Sequence, residues 1–208
     1  MRGVRATRAE RVVLGHPGAS ALFLYALDID DLADRIEEFV TGTAPARPSS
    51  RVLASVLVTD LVESTAYARR VGDRAWTDLL ERHHDAVRTA VGAHGGEVIK
   101  TLGDGVLAVF SGPAHAVRCA RRIVEDARSD TLEVRSGVPT GEVERTGTDV
   151  AGAAVHLAAR IMGCAEGGEV LCSRTVKDLV VGSELRFEAR GERELRGFDE
   201  PWAVYAAA

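Results

Sequence analysis

From residue 51 onward, hydrophobic positions recur with two periods, and the switches between them mark out the elements. Residues 52–59 are an unbroken apolar, β-branched run, the pattern of a strand covered on both faces. Residues 64–70 and 74–93 return to helical spacing. Two short strand patterns, 97–101 and 106–110, flank the turn Leu-Gly-Asp-Gly. A helix over 113–127 would turn Ala116, Cys119, Ala120 and Ile123 inward. Strands over 132–137 and 141–145 precede an Ala-rich helix over 152–165. The rest reads as a strand at 168–172, a helix at 175–181 and closing strands at 185–188 and 202–206. Helices between strand pairs argue for an α+β fold, a ferredoxin-like sandwich with helices over one sheet.

The first fifty residues read differently. A short strand is expected over 10–14 and an amphipathic helix over 30–40, with Leu32, Ile36, Phe39 and Val40 at helical spacing. Residues 42–50, rich in Gly, Pro, Ser and Thr, form an expected linker. The expected domains are therefore a strand-helix appendage over 1–41 and a main domain over 51–208.

Composition narrows the classes of function. A chain of 208 residues that is 46% hydrophobic and 27% charged can bury a core and is not disordered over most of its length. Its net charge of −5 and 5% aromatic content argue against a nucleic-acid partner, which would want a basic face or stacking rings. Cys119, Cys164 and Cys172 show no Cys-x-x-Cys spacing, which fits free thiols in a cytoplasmic protein better than a disulfide frame or a zinc site. No apolar run reaches the roughly 18–20 residues of a membrane span. Residues 21–27 follow four arginines but lead into Asp-Ile-Asp-Asp, not a small-residue cleavage site, so no export leader is expected. Lysine is scarce: Lys100 and Lys177 are the only two among 26 basic residues, so each is a candidate for work that Arg does less well.

Two aspartates stand out by placement. Asp60 ends the first buried strand and Asp104 sits in the Leu-Gly-Asp-Gly turn. If those strands are neighbours, the two carboxylates meet as a hard-cation site for Mg²⁺ or Mn²⁺ beside substrate phosphates. The alternative is that Asp60 caps the following helix and Asp104 only makes a turn. There is no GxxxxGK[ST] loop and no GxGxxG, so a Walker ATPase or a dinucleotide enzyme has no support.

Several motifs in order resemble the catalytic domain of class III nucleotide cyclases of actinobacterial type, over residues 51–206. Val-Thr-Asp-Leu-Val-Glu-Ser-Thr resembles the first metal motif, and Lys-Thr-Leu-Gly-Asp-Gly the second. Gly-Thr-Asp-Val-Ala-Gly-Ala-Ala-Val-His-Leu-Ala-Ala-Arg-Ile-Met resembles the substrate-recognition strand and the helix after it. The resemblance implies that Asp60, Asp104 and the Leu61 backbone carbonyl hold two divalent ions per site. The ribose 3′-hydroxyl would then attack the α-phosphate and release pyrophosphate. It also implies a homodimer with shared sites, the metal aspartates coming from one subunit and the base and transition-state residues from the other.

The same resemblance places Lys100 and Asp149 as base readers. An ammonium donates to N1 of adenine and a carboxylate accepts from its N6 amino group, whereas guanine offers the opposite pattern. ATP is therefore the expected substrate and cyclic AMP the product. Arg160 is implied to stabilise charge on the phosphate, and Arg196, less specifically because Arg190 and Arg193 stand close by, to bind the terminal phosphate. The chain departs from the family at His156, where an Asn usually orients the ribose. The alternative there is a packed His on a helix. A weakly active or inactive nucleotide-binding regulatory module of the same fold is the competing functional reading. Residues 1–41 resemble the last strand and helix of an α/β-hydrolase domain, without a G-x-S-x-G elbow, so a non-catalytic remnant is expected there.

Overall fold

The structure, a computed structural model, describes Val40 and residues 50–208. The chain divides between Arg47 and Pro48 into two units. Of the first, only Val40 is described, as an exposed helical residue. The strand expected at 10–14, the rest of the helix at 30–40 and the hydrolase resemblance lie outside the described residues.

In the second unit the elements run β1 (Ser50–Leu61), α1 (Ser64–Val71), α2 (Asp73–Ala93), β2 (Gly96–Leu102), β3 (Gly105–Phe110), α3 (Pro113–Ser129) and β4 (Val134–Val138). They continue with β5 (Thr140–Thr146), β6 (Asp149–Ala151), α4 (Ala153–Met162), β7 (Val170–Ser173), α5 (Arg174–Leu179), β8 (Phe187–Arg193) and β9 (Trp202–Ala207). The sheet follows the order β2-β3-β1-β4-β7-β9-β8, with β5 on β1 and β6 on β5. Its first part is the split β-α-β-β-α-β arrangement, β2-β3-β1-β4, with antiparallel neighbours.

Both faces of the sheet are covered, which explains the unbroken apolar runs. Residues 54–59 of β1 and all of β3 are buried. Leu57, Val106, Ala108 and Val134 pack against residues of α2 and α3, including Val87, Val91, Val117 and Ile123. Val56, Val58, Leu107 and Val109 face the other way, onto Ala154 and Ala158 of α4. Gly137 lets α4 approach, because a Cβ there would run into the Ala158 carbonyl.

The differences from the expected elements have local causes. Ser50, expected in the linker, already opens β1, because β5 pairs with that half of the strand from Ser50 to Ser55. Strand β6 was not expected; three residues after a two-residue turn carry no readable periodicity. The expected helix over 152–165 is shorter, closing at the Gly163 C-cap. The strand expected over 185–188 lies at Phe187–Arg193 and is mostly exposed, so no hydrophobic alternation announces it. All three cysteines are free, and burial pushes the Cys119 thiol up to about 12. Among the described residues no helix is long and apolar enough to cross a membrane.

Candidate active site

The carboxylate pair is positioned by strand register. Strand β3 runs antiparallel beside β1 with Thr59 opposite Val106, so the register carried one step further sets Asp60 across from Gly105, adjacent to Asp104. The β2–β3 turn is the two residues Gly103 and Asp104, and Gly103 takes φ +72°, a left-handed conformation suited to glycine. Gly105 is required for a second reason: a Cβ there would run into the Thr59 carbonyl. The Thr59 hydroxyl accepts the Val106 N–H at 3.1 Å and ties the hairpin to β1. Asp60 does not cap α1, whose N-cap is Glu63, without a side-chain hydrogen bond.

Asp60 has a partner that sequence reasoning missed. Arg135 on β4 is its cross-strand neighbour and donates from Nε at 3.0 Å and from Nη2 at 2.5 Å, both to Oδ2. Among the described residues no donor reaches Oδ1. Asp60 Oδ1, Asp104 and the Leu61 carbonyl are oxygen donors of the kind that Mg²⁺ or Mn²⁺ would take. No group of three or more His, Cys, Asp or Glu gathers among the described residues, so substrate phosphates and water would have to complete the coordination. Nearby on α2, burial lowers the pKa of His83, with His84 adding to the effect and Asp104 and Asp130 opposing it.

The base-reading candidates do meet. Lys100 Nζ lies 2.6 Å from Asp149 Oδ1, joining β2 to β6. The same oxygen accepts the Val150 N–H at 2.8 Å. The hydrogen bond from Lys100, the Val150 N–H and the Lys100 charge hold the Asp149 carboxyl below its usual range. Oδ2 accepts no hydrogen bond from the described residues, so it is free for a ligand.

His156 and Arg160 lie one turn apart on α4 and are both exposed, while Ala154, Leu157, Ala158 and Ile161 face the sheet. The packed reading of His156 is therefore corrected. Among the described residues Arg160 makes no ion pair. Arg196 is exposed in the loop between β8 and β9, towards the opposite edge of the sheet from Lys100. The principal cavities do not gather these groups. One of about 440 Å³ is lined by Glu63, Tyr67, Arg70 and Thr131, and one of about 540 Å³ is formed by the loop carrying Arg196.

Residues 47–206 match the family described as Adenylate and Guanylate cyclase catalytic domain. The chain belongs to this family. Domains of this cyclase family depend on divalent metal ions, which agrees with the oxygen donors at Asp60 and Asp104. The cyclase domain is 34% identical over 155 residues to a Mycobacterium tuberculosis protein, covering 74% of this chain and 40% of that one. It is 31% identical over 164 residues to "Putative adenylate cyclase 3" of Rhizobium meliloti, covering 74% of this chain and 28% of the relative. The chain thus spans less than half the length of these relatives. Its fold is that of the adenylyl cyclase CyaB from P. aeruginosa, with a TM-score of 0.68, 22% identity, and coverage of 77% of this chain and 96% of that one.

Proposed function

We propose that this chain is the catalytic domain of a cytoplasmic adenylate cyclase that converts ATP to 3′,5′-cyclic AMP and pyrophosphate. The observation that carries the choice of base is the Lys100–Asp149 pair. Lys100 spends one ammonium donor on Asp149, leaving others for N1 of adenine, and Asp149 keeps Oδ2 for the N6 amino group. Guanine would set its N1–H against the ammonium and its O6 against the carboxylate. Lys100 and Asp149 are exposed in the single chain, 43% and 60%, so this mismatch would reject guanine strongly only where a partner copy and the bound nucleotide cover the pair.

In the reaction the ribose O3′ would bond to the α-phosphorus, the bond from that phosphorus to the β-phosphate bridging oxygen would break to release pyrophosphate, and the hydroxyl proton would pass to solvent water. Asp60, Asp104 and the Leu61 carbonyl would hold two Mg²⁺ or Mn²⁺ ions, which when bound make the hydroxyl a better nucleophile and spread charge from the phosphate. Arg160 would face the reacting phosphate, Arg196 the terminal phosphate, and His156 would donate to the ribose. All three are exposed, and no principal cavity contains them together with Asp60 and Asp104. This arrangement supports a symmetric homodimer in which each site is completed by the partner copy. Incubating purified protein with ATP and Mn²⁺ should produce cyclic AMP, and much less cyclic GMP from GTP. Equal production of both would remove the base-reading role from Lys100 and Asp149. The histidine at position 156 favours a second reading, a nucleotide-binding module of negligible turnover, which would bind ATP and yield no cyclic AMP.

A further inference from the structure

Two ion pairs, not one, span the gap between β2 and the β5–β6 hairpin. Besides Lys100–Asp149, Arg145 Nη2 lies 2.7 Å from Glu97 Oε2. No backbone ladder joins β2 to β5 or β6: β2 pairs with β3, while β5 pairs with β1 and β6. The β1–β5 ladder carries the hairpin as far as Arg145, and Val143 and Val150 pack in the cluster that Ile99 joins; towards β2 itself, the polar links are these two side-chain pairs.

Strand β2 is irregular at the place where this matters. Glu97 is opposite Val109 and Val98 opposite Ala108, but the next paired residue is Lys100, opposite Leu107. Ile99 is an extra residue, a bulge. In a regular strand, residues three apart point to opposite faces. One inserted residue resets the alternation, so Glu97 and Lys100 are turned to the same side, and both reach the hairpin. Along β2 the charges then run negative, positive, and the hairpin answers with Arg145 positive and Asp149 negative. A slip of the hairpin along β2 would bring like charges together, so the two pairs reinforce the placement that the β1–β5 ladder sets.

We infer that Glu97 and Arg145 are positioning residues for base recognition: they brace the β5–β6 hairpin so that Asp149 is presented to Lys100. This rests on the reading of Lys100 and Asp149 as the base readers. Neither residue need touch the nucleotide. Both side chains are partly exposed, 48% for Glu97 and 32% for Arg145, so the brace is worth no more than an ordinary surface ion pair and its loss should leave the fold intact.

The test is calorimetric binding of 3′-deoxy-ATP and 3′-deoxy-GTP, which lack the attacking hydroxyl, to the full chain with Mn²⁺. Wild type should prefer the adenine nucleotide. Glu97→Gln and Arg145→Gln should each weaken adenine binding roughly two- to fivefold and leave guanine binding unchanged, narrowing the preference. The double reversal Glu97→Arg with Arg145→Glu should restore it, which a merely structural loss would not allow. A wild type without adenine preference overturns the base reading and the brace with it. A wild-type preference that Lys100→Ala abolishes, but that both single Gln variants retain, overturns the brace alone. Single variants that lose the preference without recovery in the double reversal also count against it.

Discussion

An exposed histidine next to an exposed arginine on one helix face has little to do for its own chain. His156 and Arg160 stand on the outer face of α4, away from the sheet, so truncating His156 should cost little stability. Its effect on turnover then reports on substrate directly. A neutral imidazole always carries one N–H, and an Asn amide can offer a donor from a similar place. His156→Ala should therefore lower turnover several-fold with the melting temperature unchanged, while His156→Asn should match or exceed wild type, measured at equal dimer content. Equal, wild-type-like rates for both variants would free His156 of a role at the ribose. At this scale the sequence singled out Asp60, Asp104, Lys100 and Asp149 as candidates by placement and resemblance. It concealed Arg135, Glu97 and Arg145, because their partners lie 48 to 75 residues away and are chosen by strand register, not by spacing along the chain.

At the level of elements, the β2–β3 hairpin carries the most consequence. Its turn sets Asp104 beside the end of β1 only because Gly105 presents no side chain to the Thr59 carbonyl. Gly105→Ala should force the hairpin away from β1 and destabilise the domain by about 1–3 kcal/mol, the usual cost of overpacking. Thermal denaturation measures it, and a melting temperature equal to wild type would mean that the hairpin does not press on β1 as described. Strands β1 and β3 were legible because burial on both faces leaves continuous apolar runs. Strand β6 and the Ile99 bulge were not, since three residues after a tight turn and one inserted residue leave no periodic trace. Those two features are what bring Asp149 and Lys100 together, so the pair proposed to read the base was suggested by resemblance, while its contact appears only in the folded sheet.

For the whole molecule the decisive fact is that no principal cavity among the described residues gathers the candidate groups. The carboxylates lie at the end of β1 and the β2–β3 turn, Lys100 and Asp149 bridge β2 and β6, and the helix pair faces outward from α4. A second copy that covers one set with the other would make two sites at a two-fold interface, each using Asp60 and Asp104 from one chain and Lys100, Asp149 and Arg160 from its partner. The most direct measurement mixes two disabled proteins. Asp60→Ala and Arg160→Ala should each be inactive alone, losing a metal ligand and a transition-state cation respectively. After mixing and subunit exchange, a heterodimer keeps one site with every group, so cyclic AMP formation from ATP should return at a substantial fraction of wild type. A mixture that stays inactive while heterodimers are demonstrably present would contradict the shared-site cyclase.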